Sequence, residues 1–230
     1  MADTKLRNLT VTTTPALTDL TYTVEDPAGL ANSRKATLGD ILAVGGGGLT
    51  LLESHTASGG ATLAFGTRNA PGKSGATFQS DFDTYVIKFR NICPSTTTVH
   101  LAFQFSTDGG STWLTSYRWS YLYMHDSGGE GVNTQNTGGT WGTSGIEMSN
   151  SQTNTSSEGN SGSITVSNPL STTSVRAFSY ESSYLYSTFR HAFMGTAWYT
   201  TTGTAINTIQ FLFSSGNVAS GTAFCYGVQK

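Results

Sequence analysis

The sequence predicts an all-β protein whose main part is a jelly-roll-like antiparallel β-sandwich. Three observations support this fold class. Apolar and polar residues alternate with a period of two in several segments, most clearly in residues 84–92. Turn-forming residues such as Asp, Asn, Gly and Pro separate these segments at fairly regular spacing. The resulting number of strands, about eight, is typical of a jelly roll.

Length and composition limit the functional classes. A chain of 230 residues can form one large β domain with a small appendage. Only 11% of the residues are charged, and the formal net charge is −2. No basic field is available to collect phosphates, so a nucleic-acid partner is not expected. No apolar run is long enough for a membrane span, and the first residues have no secretory signal, so synthesis in a cytoplasm is expected.

Residues 1–44 form a separate small module in this interpretation. A short strand with Leu20, Tyr22 and Val24 and a partner strand at residues 34–37 predict a hairpin. A short helix with Ile41 and Leu42 on its apolar side follows. So small a unit cannot bury enough apolar area alone, so we expect it to attach to other proteins or to copies of itself. Glycines at 45–48 form a linker, and the sandwich occupies residues 49–230.

The first half of the sandwich contains its strongest strand signals. Residues 84–92 place Tyr85, Ile87 and Phe89 on one face, and residues 99–105 repeat the pattern. Residues 108–111, Asp-Gly-Gly-Ser, predict a tight hairpin that returns through residues 113–123. This return strand carries an aromatic ridge, assigned to either the core or a subunit interface, which consists of Trp113, Tyr117, Trp119, Tyr121 and Tyr123.

Residues 126–168 are dominated by Gly, Ser, Thr and Asn, with a short strand predicted at 164–166. A long segment without its own structure is unusual in a compact domain. We therefore expect it at a surface tip or between subunits.

The segment 205–228 predicts two further strands joined by the turn at residues 214–217. In the second strand, bulky residues alternate with small ones. The bulky side, with Phe224 and Tyr226, is assigned to the core. The small side is predicted to lie against the opposing sheet or another subunit, since small residues permit close approach, and consists of Gly221, Ala223, Cys225 and Gly227.

No catalytic, cofactor or metal site is predicted. The four histidines and two cysteines have no ligand-like spacing, and no serine lies in a nucleophile-elbow pattern. Four acids in or beside the long loop, Asp126, Glu130, Glu147 and Glu158, could serve a glycosidase only if rigid strands held two of them at a fixed separation. The predicted glycan or partner contacts are instead the aromatic residues Trp141, Tyr184 and Tyr186.

A family resemblance is carried by ordered motifs along nearly the whole chain. Asp83-Thr84-Tyr85, Phe89-Arg90-Asn91-Ile92 and the run from Phe103 to Gly110 form its first half, and Asn168-Pro169, Ser214-Ser215-Gly216-Asn217 and Tyr226-Gly227 its second. The leading segment contributes Thr14-Pro15, Asp19-Leu20 and Asp40-Ile41-Leu42. With these motifs the chain resembles structural proteins of tailed-bacteriophage virions, of the fibre, appendage or decoration type.

The resemblance implies a non-enzymatic structural protein located on the virion. It implies a homotrimer whose first module attaches to other capsid or tail proteins and whose jelly-roll-like domain is displayed, with host-surface glycans as a further partner. Head and tail locations both remain open. A head decoration protein that stabilises the capsid is one alternative, and a carbohydrate-binding, lectin-like module is another.

Overall fold

The computed structural model describes residues 21–23, 35–37, 48–66, 78, 80–115, 117–126, 131–137, 145–187, 189–199 and 201–229. For 21–23, 35–37, 126, 131–137 and 229, the backbone alone is described. The chain divides into two units, Met1–Gly47 and Gly48–Lys230, so the division falls inside the glycine run at 45–48.

In the first unit, strands β1 (Thr21–Thr23) and β2 (Lys35–Thr37) pair antiparallel, with Thr21 opposite Thr37. The two strands lie in the segments that the sequence predicts to pair. Leu20, Val24, Ile41 and Leu42 and the predicted helix lie outside the described residues, and only the backbone of Tyr22 is described.

The second unit is an antiparallel β-sandwich, which confirms the predicted fold class. Its described residues form twelve strands: β3 (Leu49–Thr56), β4 (Thr62–Ala64), β5 (Phe82–Pro94), β6 (Leu101–Ser106), β7 (Arg118–Asp126), β8 (Gly131–Thr137), β9 (Ile146–Glu147), β10 (Asn160–Ser167), β11 (Arg176–Tyr186), β12 (Phe189–Tyr199), β13 (Thr208–Phe213) and β14 (Val218–Gln229). The large sheet has the order β3-β14-β5-β10-β11-β12-β7-β8, and the small sheet has the order β4-β13-β6-β9.

The strand order is that of a jelly roll with insertions. Eight strands, β3 to β6, β9, β10, β13 and β14, are divided equally between the two sheets. Along the chain they alternate between the sheets, except that β6 and β9 are neighbours in the small sheet. We call these the jelly-roll strands. The other four, β7, β8, β11 and β12, all join the large sheet beyond β10, and we call them the added strands.

The core lies between the two sheets and is largely aromatic. Phe89 of β5 packs on Phe211 of β13, with ring centroids 5.3 Å apart. Phe105 of β6 stacks on Phe178 of β11 at 4.3 Å. The face predicted for residues 84–92 is confirmed, because Tyr85, Ile87 and Phe89 are all buried.

Two predicted hairpins are wrong, because the strands on either side of each turn belong to different sheets. Residues 108–111 do form a turn, with positive φ at Gly109 and Gly110, but β6 pairs with β13 and β9 while β7 pairs with β12 and β8. Likewise β13 lies in the small sheet and β14 in the large one. Alternation within a strand determines which side is buried, but not which strand is its neighbour.

The predicted unstructured segment at 126–168 is also wrong in its described part. It contains β8, β9, a 3-10 turn at Ser156–Glu158 and all of β10, and Ile146 and Met148 are fully buried. The short strand predicted at 164–166 is confirmed as part of β10. The described residues contain no helix that is long and apolar enough to cross a membrane.

The face assignment of β14 requires a correction. Ala223 and Cys225, on the side with small residues, belong to the core cluster, whereas Phe224 and Tyr226 are only partly buried. Arg90 lies over the ring of Phe224, 5.8 Å from its centroid, on the outer face of the large sheet. Small residues suit the inner face because β14 lies between β3 and β5, beneath the large side chains of the core.

Candidate functional site

Tyr184, one of the predicted glycan contacts, lies in the interior. It is 4% exposed, and its hydroxyl donates to the backbone carbonyl of Asn150 and accepts from the Asn150 amide at 2.8 Å. Tyr186 is partly buried and meets the ring of His191 edge-on. Trp141 lies outside the described residues. The face of Tyr184 is therefore not available to stack on a ligand in this fold.

The two tyrosines belong to a cluster centred on His191. His191 stacks on Tyr184 at 4.9 Å and on His125 at 5.7 Å, and its Nδ1 shares a hydrogen bond of 2.5 Å with the Tyr123 hydroxyl. Its Nε2 is buried without a hydrogen-bond partner. Burial lowers the pKa of His191, and the neighbouring His125 lowers it further. This histidine is therefore kept neutral by its surroundings.

Of the four acids considered for hydrolysis, the two whose side chains are described are each hydrogen-bonded to a neighbouring residue. Glu147 is buried and accepts a hydrogen bond of 2.6 Å from Nδ1 of His100, which raises the pKa of His100. Glu158 accepts from the hydroxyl of Thr153. Glu130 lies outside the described residues, and only the backbone of Asp126 is described. No group of three or more His, Cys, Asp or Glu side chains in the described residues could hold a metal ion.

The side of β14 with small residues faces the protein interior. Ala223 and Cys225 are fully buried, and a Cβ on Gly221 would come within 2.6 Å of the Asn91 carbonyl oxygen. A Cβ on Gly227 would come within 2.5 Å of the Phe82 ring. Both cysteines are free, and burial raises the pKa of Cys225 to about 12. These small residues permit close packing within the subunit.

A groove of about 590 Å³ lies where the edge strands of the two sheets, β3 and β4, meet the turn between β6 and β7. We call it the Trp113 groove. Its polar groups come from both sheets and from the turn, and its one tryptophan lies in the wall supplied by the turn. The residues used below are His55, Thr56, Thr62, Ser111, Trp113 and Gln210.

The wall that carries Trp113 is held by an organised turn. The carboxylate of Asp108 accepts hydrogen bonds from the Thr112 amide at 2.8 Å, the Thr112 hydroxyl at 2.6 Å and the Ser106 hydroxyl at 2.7 Å. These donors lower the pKa of Asp108 to about 2, with the Thr112 hydroxyl as the largest cause. On the other side of Trp113, the Leu114 amide donates to the Phe105 carbonyl at 2.8 Å. The indole is therefore presented from a fixed backbone.

The polar groups of the groove are also fixed by neighbours. Gln210 is 4% exposed, and its amide donates to Gln104 at 2.8 Å. His55 donates from Nε2 to the buried carboxylate of Glu53 at 2.5 Å, and Glu53 also accepts from the Gly66 amide. Among the described residues, no Lys, Arg, Asp or Glu lines the groove. The described part of the groove is therefore a polar depression with one aromatic wall.

A second depression, of about 760 Å³, lies on the outer face of the large sheet. Its floor is a row of hydroxyl side chains that are directly opposite one another on four neighbouring strands: Thr165, Ser179, Thr196 and Ser120. Met194 and Leu122 form one side. Its lining also includes two tyrosines, Tyr121 and Tyr180, and one acid, Glu181.

The sequence interpretation identified the turn at 108–111 and the aromatic residue Trp113, but it did not bring them together with His55 and Gln210. Trp113 had been grouped with Tyr117 and Trp119 in one ridge. In the structure the latter two are buried while Trp113 is only partly buried, because the turn ends after it and β7 begins at Arg118. His55 and Gln210 lie in strands of different sheets, so no local pattern could have joined them.

No protein-family model, curated protein or solved structure matches the chain. The fold and the groove therefore stand on their own geometry.

Proposed function

We propose that the protein is a non-enzymatic structural component of a bacteriophage virion. In this proposal residues 1–44 attach the protein to the particle, and the jelly-roll domain is displayed as part of a homotrimeric fibre-like appendage. The ordered sequence motifs and the jelly-roll topology support it. The two acids of the predicted loop whose side chains are described, Glu147 and Glu158, accept hydrogen bonds from His100 and Thr153. These hydrogen bonds favour a structural role for the two acids over a role in hydrolysis.

The observation that carries the oligomeric part of the proposal is the apolar edge of the large sheet. β3 is an edge strand, and its Leu49 and Leu51 are 46% and 53% exposed. Leu51 lies opposite the partly buried Tyr226 of β14, next to Phe224 on the same outer face. Exposed apolar edge strands invite pairing or packing with another chain. A second copy of the same subunit would cover this edge.

The first test is location and copy number on intact particles. Immunogold electron microscopy with antibodies against residues 49–230, combined with quantitative mass spectrometry, should place the protein on the particle surface. A few dozen copies or fewer would support an appendage on the tail, and hundreds would favour the alternative of a head decoration protein. Absence from purified particles would overturn the virion proposal.

The second test is the oligomeric state of the full chain. Sedimentation is expected to show a trimer, and Leu51→Lys should shift it toward the monomer because a charge would be buried at the interface. Leu185→Lys is the matched control, since Leu185 is also exposed, at 38%, but lies in β11 away from this edge. A monomeric wild-type chain at micromolar concentration would contradict the apolar edge as a self-association surface.

A further inference from the structure

We infer that the Trp113 groove binds the end of an uncharged glycan chain. The inference adds a binding site to the proposed display role, and the geometry of the groove does not depend on where the protein is located. The volume of the groove, about 590 Å³, lies within the usual range of small-ligand sites.

The first argument is the combination of groups that converge on the groove. A sugar ring has an apolar C–H face and a rim of hydroxyls, so it needs an aromatic surface and groups that both donate and accept hydrogen bonds. Trp113 supplies the surface, and Thr56, Thr62 and Ser111 supply hydroxyls. Gln210 contributes an amide from the small sheet. All of these groups lie on the lining of one depression.

The second argument is pre-organisation. Asp108 fixes the turn before Trp113 through Thr112 and Ser106, and the Leu114 amide fixes the chain after it. On the opposite wall, the Asn217 side chain donates to the Gly59 carbonyl at 2.7 Å, and the Val218 amide donates to the Gly60 carbonyl at 2.8 Å. Walls that are already ordered reduce the entropy lost on binding.

The third argument is charge, and it selects among glycans. Among the described residues that line the groove there is no Lys or Arg that could pair with a carboxylate, sulfate or phosphate, and the imidazole of His55 is hydrogen-bonded to Glu53. The carboxylate of Asp108 in the adjoining turn would repel an anion. An uncharged sugar is therefore the ligand that fits, and an acidic polysaccharide is disfavoured.

The test uses the purified full chain and a panel of neutral oligosaccharides of glucose, galactose, mannose and N-acetylglucosamine, with acidic oligosaccharides as the comparison. Binding is measured by titration with backbone NMR shifts and tryptophan fluorescence. We expect saturable binding of at least one neutral oligosaccharide, with shifts centred on residues 55–64 and 109–113. Trp113→Ala should weaken it at least tenfold, and Trp113→Phe should weaken it less because a smaller aromatic face remains.

Trp198→Ala is the matched control, because Trp198 is 39% exposed but lies on β12 in the large sheet, outside the groove. It should leave the affinity unchanged. Thermal unfolding of each variant verifies that it is folded. If Trp113→Ala does not fold, the affinity of Trp113→Phe is compared with that of the wild type instead. The inference is overturned if no neutral oligosaccharide binds at millimolar concentration, if only acidic ones bind, or if Trp113→Ala and Trp198→Ala bind equally well. A failure here leaves the virion assignment in place, because that assignment is tested on particles.

Discussion

The core between the two sheets and the far ends of the added strands bury side chains against different kinds of neighbour. Between the two sheets, the core is a continuous cluster that includes Phe89, Phe103 and Phe211. Far along the added strands, Phe193 and Tyr184 are buried but pack mainly on Tyr123 and His191. The first region is held by apolar packing, and the second by polar aromatic rings with hydrogen bonds. A large sheet can therefore extend beyond its partner sheet if its inner face changes composition.

The largest expected difference concerns the two buried phenylalanines. Phe105→Ala should lower the free energy of unfolding by about 3–5 kcal/mol, because it leaves a cavity beside Phe178 in the closed core. Phe193→Ala should cost about 3 kcal/mol or less, because its neighbours Tyr121 and Tyr123 are only partly buried and can move into the space. Urea unfolding measures both, and an equal or larger loss at Phe193 would remove the distinction between the two regions.

A smaller effect is expected from removing one hydroxyl in each region. Tyr117→Phe should cost about 1–3 kcal/mol, because the Phe105 amide, which donates to the Tyr117 hydroxyl at 2.7 Å, is left buried without a partner. Tyr184→Phe should cost under about 1 kcal/mol, because Asn150 is exposed and water can replace the hydroxyl. Thermal and urea unfolding compare the two variants, whose shapes are otherwise preserved. A larger loss of stability for Tyr184→Phe than for Tyr117→Phe would mean that water does not reach Asn150 at the edge of the added strands.

The smallest expected effect is on the pH dependence of the free energy of unfolding. His100 and His191, one from each region, should change this free energy in opposite directions as the pH falls. The hydrogen bond to Glu147 raises the pKa of His100 above 6.5 in the folded protein. The protonated His100 therefore stabilises the fold fully below pH 6.5, and this stabilisation is lost as the pH rises through the pKa of the folded state. The pKa of His191 is lowered, mainly by burial, so the fold loses stability as the pH falls below 6.5 and the unfolded chain takes up a proton.

The measurement is the free energy of unfolding from about pH 5 to about pH 8 for the wild type, His100→Gln and His191→Phe. Relative to the wild type, His100→Gln should be least stable at the acid end, and His191→Phe should gain there. Each difference should be under about 1 kcal/mol, since His100 is partly exposed to solvent. If the difference in free energy of unfolding from the wild type changed with pH in the same direction for both variants, the opposite environments of the two histidines would be contradicted.

The buried side of a strand could be predicted from sequence where the alternation is strong, as in β5, because burial of one face needs only local information. The neighbours of that strand could not. The turns at 108–111 and 214–217 have ordinary hairpin chemistry, yet both carry the chain between sheets. β14 shows a second limit. Its bulky residues have the pattern of core residues, but its inner face is covered by aromatic side chains from other strands and has room only for small residues.

The candidate site was predictable only in part for the same reason. The turn with Asp108 and the prominence of Trp113 can be seen in the sequence. The amide of Gln210 and the imidazole of His55 reach the groove only because the jelly roll brings the edges of two sheets together. The sequence predicts Tyr184 as a surface aromatic residue, but the segment 148–150, which has no strand pattern of its own, covers that side of β11.

The position of β14 has a consequence for how the protein folds. β14 lies between β3 and β5, so Leu49, the first residue of the sandwich strands, pairs with Val228. The large sheet therefore cannot close during synthesis until residues 218–229 have left the ribosome. Until then β3 has no neighbour and β5 lacks one of its two, and the apolar side chains between the sheets are uncovered. Pairings between residues so distant in the chain make folding slow, and the unclosed sheet is the state in which contact with a second nascent chain would compete with correct folding.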